Sequence, residues 1–503
     1  MKSHNTISTL TKFLSIAIFT SSLFTSGCAQ LNFLSEDTPK DESKSATEKT
    51  SAEDKLDEEI KKLDSATVAS RCSLYYSASN YSEAFKYCKR AAEDNNADAQ
   101  FNLGYMYSNG LGVQQDYQEA FKWYQKAADK GEVVAQFNLG VMYENGKGVA
   151  KDYFKAFDLY KNVAELGNAS AQLNLGYMYE RGLGVKQDYF KAVEWYQKAA
   201  DKGDAIAQKN LGNMYYNGYG VKQDYQEAFN WYQKAAYQGN SDAQVSLGYA
   251  YEAGQGAKKD FYEAVIWYRK AAEQGNVSGQ YGLAYMYYYG KGVQQDYYEA
   301  AKWFDKSAEN GFAISQTYLG ICYEYGYGVQ QNNSTAVYWY RRAADNGNAW
   351  GQSNLGFMYK NGKGVSKDYQ QAFYWFQKSA DQGYSSGQFG LGIMYDYGYG
   401  VKQDYFEAVK WYQKAAEQGH SSAQLNLGYM YDQGYGVKQD YSKAVKLYQK
   451  SAEQGNATAQ QNLGISYLNG QGVKKNKAKA KYYFGLACDN KNQDGCNMYR
   501  KLN

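Results

Sequence analysis

Few residues of this chain have the chemistry for catalysis. Beyond an N-terminal apolar segment one histidine remains, His420. Nucleophile triads and zinc sites normally need a histidine held in place by its surroundings. His420 falls in a loop, at a position that is Asn240, Asn276 or Asn348 elsewhere, which predicts a surface role. Gly146, Lys147 and Gly148 suggest a phosphate loop, but they lack the Gly-x4-Gly-Lys-Ser/Thr spacing, and turn closure explains them. Asp116, Asp152, Asp188 and Asp224 could be imagined as paired acids. Their recurrence at the same point of a repeat predicts N-caps instead. No catalytic residue, no metal-ligand set and no cofactor is expected. Cys322 takes the place of Met106 in its repeat and reads as a buried apolar residue. The net charge is +3, with basic residues spread evenly, which excludes a nucleic-acid-binding stripe.

The elements that carry these residues follow from a 36-residue unit, best seen at 97–132. Leu103-Gly104 recurs at that interval as far as Leu463-Gly464, with Leu283-Ala284 the one variant: eleven copies without an insertion. A fixed period of this size marks a solenoid, whose units bury their apolar faces on their neighbours. Each unit reads as two helices. The first spans about 97–108, with Gln100, Leu103 and Tyr107 on one face. It stops at Asn109-Gly110-Leu111-Gly112, where glycine allows a left-handed closure. Asp116 then caps a second helix carrying Ala120, Trp123, Tyr124 and Ala127. Gly104 and Ala120 are expected where the two helices approach closely.

The recurring A-x-A-Q-x-N-L-G-x-M-Y, N-G-x-G-V and D-Y-x-x-A-x-x-W-Y-x-K-A-A resemble the Sel1-like repeat, a relative of the tetratricopeptide repeat. The resemblance covers 97–492 and implies an all-α, right-handed superhelical solenoid of paired antiparallel helices. It is a fold label with many functions. Residues 65–96 read as an atypical N-terminal capping repeat that lacks the Gly-x-Gly loop, and 493–503 as a C-terminal capping helix.

Residues 1–28 read as a signal peptide: lysines, a short apolar run over 13–24, then Thr25-Ser26-Gly27-Cys28. The ending resembles a bacterial lipobox with Thr25 where Leu is usual, which makes Cys28 the lipidation site. Cleavage after Ala29 and no processing are the alternatives. Ala29, by resemblance to Gram-negative lipoproteins, favours the outer membrane facing the periplasm. Residues 29–64 are rich in charge, Ser and Thr and read as a flexible tether, with 56–63 as an incipient helix. The spacing of Cys488 and Cys496 resembles the helix-to-helix bridges of the cysteine-rich Sel1 proteins of Helicobacter. Cys72 and Cys88 fall on the two helices of the first unit and could staple it.

Comparing the copies, the first helix varies most at Asp98, Phe101, Tyr105, Ser108 and Asn109, whose offsets place them on one stripe. In tetratricopeptide proteins the equivalent stripe lines a concave groove that holds a partner. In the middle copies it turns aromatic: Tyr216, Tyr249, Tyr281, Tyr285, Tyr288, Tyr289, Tyr325, Trp350, Phe357 and Tyr397, with Ile314, Glu252, Glu324 and Asp396 among them. Exposed rings are common binding anchors. These are the candidate partner-binding residues, for a protein or extended peptide; a polysaccharide or peptidoglycan strand would use such rings equally. The expected function is a non-catalytic, membrane-tethered periplasmic scaffold, as outer-membrane Sel1 lipoproteins organising polysaccharide secretion suggest by resemblance. The alternative is a carbohydrate-binding protein, or an enzyme like the β-lactamase-like Sel1 proteins, whose cysteine pair in every repeat is missing here.

Overall fold

The computed structural model describes residues 56–502, which divide at Asp260 and Phe261 into two compact units. Each unit is built of antiparallel helix pairs, most helices 13 residues long, with consecutive helices packed side by side. No strand occurs among the described residues. The fold class expected from the repeat, an all-α solenoid of paired helices, is the one found.

Local signals set the helix ends. In the repeat 97–132 the first helix is Ala97–Asn109, one residue longer than expected. The Asn96 side chain accepts from the Ala99 N–H at 2.9 Å, and Gly110 closes the helix at φ 70°. Asp116 caps Tyr117–Ala128 by accepting from the N–H groups of Gln118 and Glu119 at 2.8 and 3.0 Å. The repeated acids are therefore caps, as the sequence implied.

Two glycines per repeat permit the packing. A Cβ on Gly104 would lie 2.7 Å from a ring carbon of Tyr124, so the tyrosine fills the close approach of the pair, and Ala120 is buried beside it. A Cβ on Gly112 would lie 2.2 Å from the carbonyl oxygen of Tyr81, which belongs to the preceding helix pair. The Gly-x-Gly loop is thus a joint between neighbours, seated directly on backbone.

The buried glutamine of the A-x-A-Q motif makes a second joint. Gln352 donates to the carbonyl of Ala344, at the end of the previous second helix, at 3.1 Å. Gln100, Gln172, Gln208, Gln244, Gln316, Gln424 and Gln460 repeat that bond. A residue just beyond the repeat's own second helix then donates to the glutamine oxygen, as Gln382 does to Gln352 at 2.8 Å. Unsatisfied C-terminal carbonyls of one helix are in this way answered by the next repeat.

The tryptophans of the second helices lie under lysines one turn on, with Lys126, Lys198 and Lys234 at 3.9, 3.8 and 3.7 Å from the rings of Trp123, Trp195 and Trp231. In the unit 261–502, Ala349–Asn361 packs against both Ala313–Tyr325 and Ser385–Tyr397.

At the N-terminal end residues 56–62 are helical and Ile60 is buried, with Leu56 and Leu63 packed on the same cluster. Ordered structure therefore reaches into the segment read as tether, because Leu56, Ile60 and Leu63 form an apolar stripe at helical spacing. The pair Ser65–Ser77 and Tyr81–Glu93 turns through Ser79, at φ 58°, in place of a Gly-x-Gly loop. Cys72 and Cys88 form a disulfide across this pair, and Cys488 and Cys496 form one to the final helix Gln493–Lys501, with Cα separations of 4.7 and 4.4 Å. Cys28 and the signal segment lie outside the described residues. Among the described residues no helix is long and apolar enough to cross a membrane.

Candidate partner-binding face

The densest part of the aromatic stripe lies on Val277–Tyr289 and Ala313–Tyr325, consecutive first helices of the unit 261–502. Its centre is Tyr318. This ring is buried, stacks on Phe304 at 4.7 Å and 3°, and meets Tyr288 at 5.5 Å and Trp350 at 5.0 Å. Above it the Tyr289 and Tyr318 hydroxyls are 3.3 Å apart, and Tyr285 lies 4.6 Å from Tyr289. Tyr325 joins through Tyr327, whose ring stacks on Tyr325 at 5.7 Å and on Tyr297 at 4.8 Å.

Burial grades this cluster from floor to rim. Tyr289 and Tyr325 are the rim, 47% and 56% exposed. Tyr285, Tyr288 and Trp350 are half-buried. Tyr281, expected on the exposed stripe, is only 2% exposed and belongs to the floor. Its ring is covered by Phe312 at 5.3 Å, a phenylalanine standing where Asn240, Asn276 and Asn348 cap their helices. Tyr249, in the unit ending at Asp260, is likewise buried, because Tyr216 from the preceding repeat sits edge-on to it at 6.4 Å. Both correct the expectation of exposed rings.

The other stripe residues lie apart from the cluster. Phe357 is half-buried against Phe376 at 4.8 Å, while Tyr397 is 59% exposed and stacks on Tyr399 at 5.4 Å. Tyr216 is half-buried and donates to Gln255 at 3.1 Å.

Charge at the cluster is sparse. Lys291 donates to the Tyr285 hydroxyl at 3.2 Å. Glu324 accepts from Tyr340 at 2.7 Å and pairs with Lys363 at 2.9 Å, so its carboxylate is committed. Burial raises the hydroxyl pKa of Tyr288, and burial together with Glu324 raises that of Tyr325. Both rings therefore present neutral hydroxyls at any physiological pH. The face offers aromatic surface, hydroxyl donors and two lysines. Among the described residues no group of three His, Cys, Asp or Glu side chains is placed to hold a metal ion.

Several members of this face escaped the sequence reading. Tyr318 stands at the Asn102 position, and a ring where most copies have asparagine was the available signal. Tyr327, Lys291 and Lys363 occupy the variable residue inside Gly-x-Gly, the Leu111 position, treated above as turn alone. His420 differs too: its ring stacks on Phe389 at 4.6 Å, and its Nδ1 accepts from the Ala423 N–H at 3.2 Å. It is a half-buried cap and not a surface loop residue.

A family model described as Sel1 repeat matches residues 74–96, 97–132, 133–168, 169–204, 205–240, 241–276, 277–312, 313–348, 351–384, 385–420, 421–456 and 457–492. The chain belongs to the Sel1 repeat family. Part of the atypical first unit, 74–96, counts as a further Sel1 repeat, giving twelve matches. The Sel1 solenoid is similar to the crystal structure of c5321, a protective antigen present in uropathogenic Escherichia coli strains. That likeness is 40% identical, with a TM-score of 0.73, over 83% of this chain and 90% of that one. A Sel1 repeat protein from Oxalobacter formigenes is 33% identical over 48% of this chain and 96% of its own, with a TM-score of 0.45. Among curated proteins no match was found.

Proposed function

We propose that this Sel1 protein is a non-catalytic scaffold that holds an extended protein segment on its first-helix face. The observation that carries this reading is the graded aromatic cluster around Tyr318. Exposed Tyr289 and Tyr325 stand above a floor of buried rings, so a ligand meets large apolar contacts that lose little side-chain freedom on binding. Solenoids with a constant core and a variable inner face suit extended partners, and Sel1 repeats are a protein-interaction scaffold type. Lipidation at Cys28 would tether the scaffold to the bacterial envelope, facing the periplasm.

In-cell photo-crosslinking tests the reading, with a photoreactive phenylalanine at Tyr289 and a control at Tyr298, an exposed second-helix tyrosine. A discrete protein adduct from position 289 alone is expected. Equal labelling at both positions, or none at 289 in the folded protein, counts against a protein ligand and favours a glycan strand. Turnover of a β-lactam above buffer would refute the non-catalytic part. Loss of metabolic palmitate labelling in Cys28→Ser is the result expected for the tether.

A further inference from the structure

The first helix Ala205–Asn217 carries a lysine in a row that, within the unit ending at Asp260, is otherwise apolar. Lys209 follows Phe137 and Leu173 at the same position of the two preceding repeats and precedes Val245 in the next. It is 9% exposed, and among the described residues no hydrogen bond or ion pair engages its ammonium. Its stem is buried, and the ammonium nitrogen keeps no more than a narrow access to solvent. Asn213 and Tyr216 follow at one and two turns on the same face, and Tyr249 flanks Tyr216 from the next repeat at 6.4 Å.

We propose that Lys209 anchors a carboxylate of an extended peptide lying along the first helices of residues 169–253. The inference rests on the reading of the first-helix face as a peptide groove. The nearby acids are not available to pair with the lysine directly. Glu180 accepts from Tyr196 at 2.6 Å and lies 3.7 Å from Arg181. Asp242, on the first turn of the next first helix, reaches Lys209 only through its field. Burial lowers the lysine's pKa, and the fields of Asp242 and Glu180 offset that only in part. Much of its desolvation is present before any ligand arrives, so an entering carboxylate gains its attraction at little further cost. Glu180 and Asp242 repel any anion in proportion to its charge, so a singly charged carboxylate fits better than a doubly charged phosphate. Tyr216 and Tyr249 supply ring surface beside the anchor.

The test uses the whole protein with 13Cε-labelled lysine and ring-labelled tyrosine, the Lys209 signal being assigned by its loss in Lys209→Met. Three peptides serve as probes: acetyl-Tyr-Asp-Tyr-amide, acetyl-Tyr-Asn-Tyr-amide and acetyl-Tyr-Gly-Tyr with a free C-terminus. At least one carboxylate peptide should move the Lys209 signal, raise its titration midpoint, and bind about tenfold more tightly than the Asn peptide. Lys209→Met should remove that preference while keeping the tyrosine shifts. Whether the Asp side chain or the free terminus is responsible separates the two sources of carboxylate. Equal tyrosine shifts with all three peptides and a silent Lys209 would overturn the anchor and leave the groove standing. Silence of both lysine and tyrosine signals at millimolar peptide would overturn the groove as well. If Lys209→Met fails to fold, Lys209→Gln serves the same comparison.

Discussion

Tyr318 and His420 show how one substitution in a repeated pattern changes what a position does. Tyr318 puts a ring where another copy has Asn426 donating to the Tyr412 hydroxyl at 3.1 Å, and it supports four of the candidate binding rings. Tyr318→Ala should cost about 3–5 kcal/mol locally, the range for removing a buried aromatic ring. Tyr289→Ala with Tyr325→Ala should leave melting nearly unchanged and weaken partner capture. Equilibrium denaturation and crosslinking yield, measured on both variants, separate floor from rim. Unfolding of the double variant would place those two rings in the core.

His420 gives a pH signature. Burial lowers its pKa from 6.5 to about 4 in the folded chain. Between those values the unfolded chain binds a proton that the folded chain refuses, so stability is full above about pH 6.5 and is lost as pH falls toward 4. His420→Asn keeps an N-cap of the kind Asn240 and Asn456 provide and does not titrate. The stability of His420→Asn relative to the native chain should therefore rise as the pH drops. Amide exchange in Ser421–Gln433 from pH 7 to 4 reads it, and a pH-independent difference would show that the ring does not titrate with folding.

At the scale of helices, the joints between repeats rest on glutamine and glycine. Gln352→Ala leaves the Ala344 carbonyl and the Gln382 amide without their partner, at about 1–3 kcal/mol. Gly356→Ala forces a methyl to within 2.7 Å of the Phe376 ring and should cost about 1–3 kcal/mol. Faster amide exchange confined to Ala349–Asn361 and its neighbours is the expected readout for both. The helices, their caps and their stops were legible because each is encoded within a few residues and repeated many times. The glutamine ladder was not, since its acceptor lies in another repeat and the motif shows only that glutamine recurs. Burial of Tyr249 and Tyr281 was hidden for a related reason: what covers each ring is distant in sequence, Tyr216 in the preceding repeat and Phe312 at the far end of Tyr281's own repeat. The face could be read as a stripe, but its depth depended on contacts between copies.

At the scale of the molecule, each unit is a row of near-identical contacts, and the two disulfides lie in the first and last helix pairs of the described chain. A terminal repeat has one neighbour instead of two and opens first. Reduction should cost the Cys72–Cys88 pair about 2–4 kcal/mol. It should raise amide exchange in 65–93 and 489–501 while leaving the middle repeats protected. Uniform loss of protection would mean the repeats unfold as one cooperative block.

The loop joint also bears on the gene. Gly328 seats on the carbonyl of Tyr297 and Gly364 on that of Asn333, so the fit is to backbone and indifferent to the side chain beneath. Recombination that drops or duplicates one whole 36-residue repeat within a unit joins surfaces that already match. The length of the chain can then change by whole repeats without a new interface having to evolve. The first-helix face lengthens or shortens by one row of stripe residues each time, so the same event that alters the gene's size alters what the protein can hold.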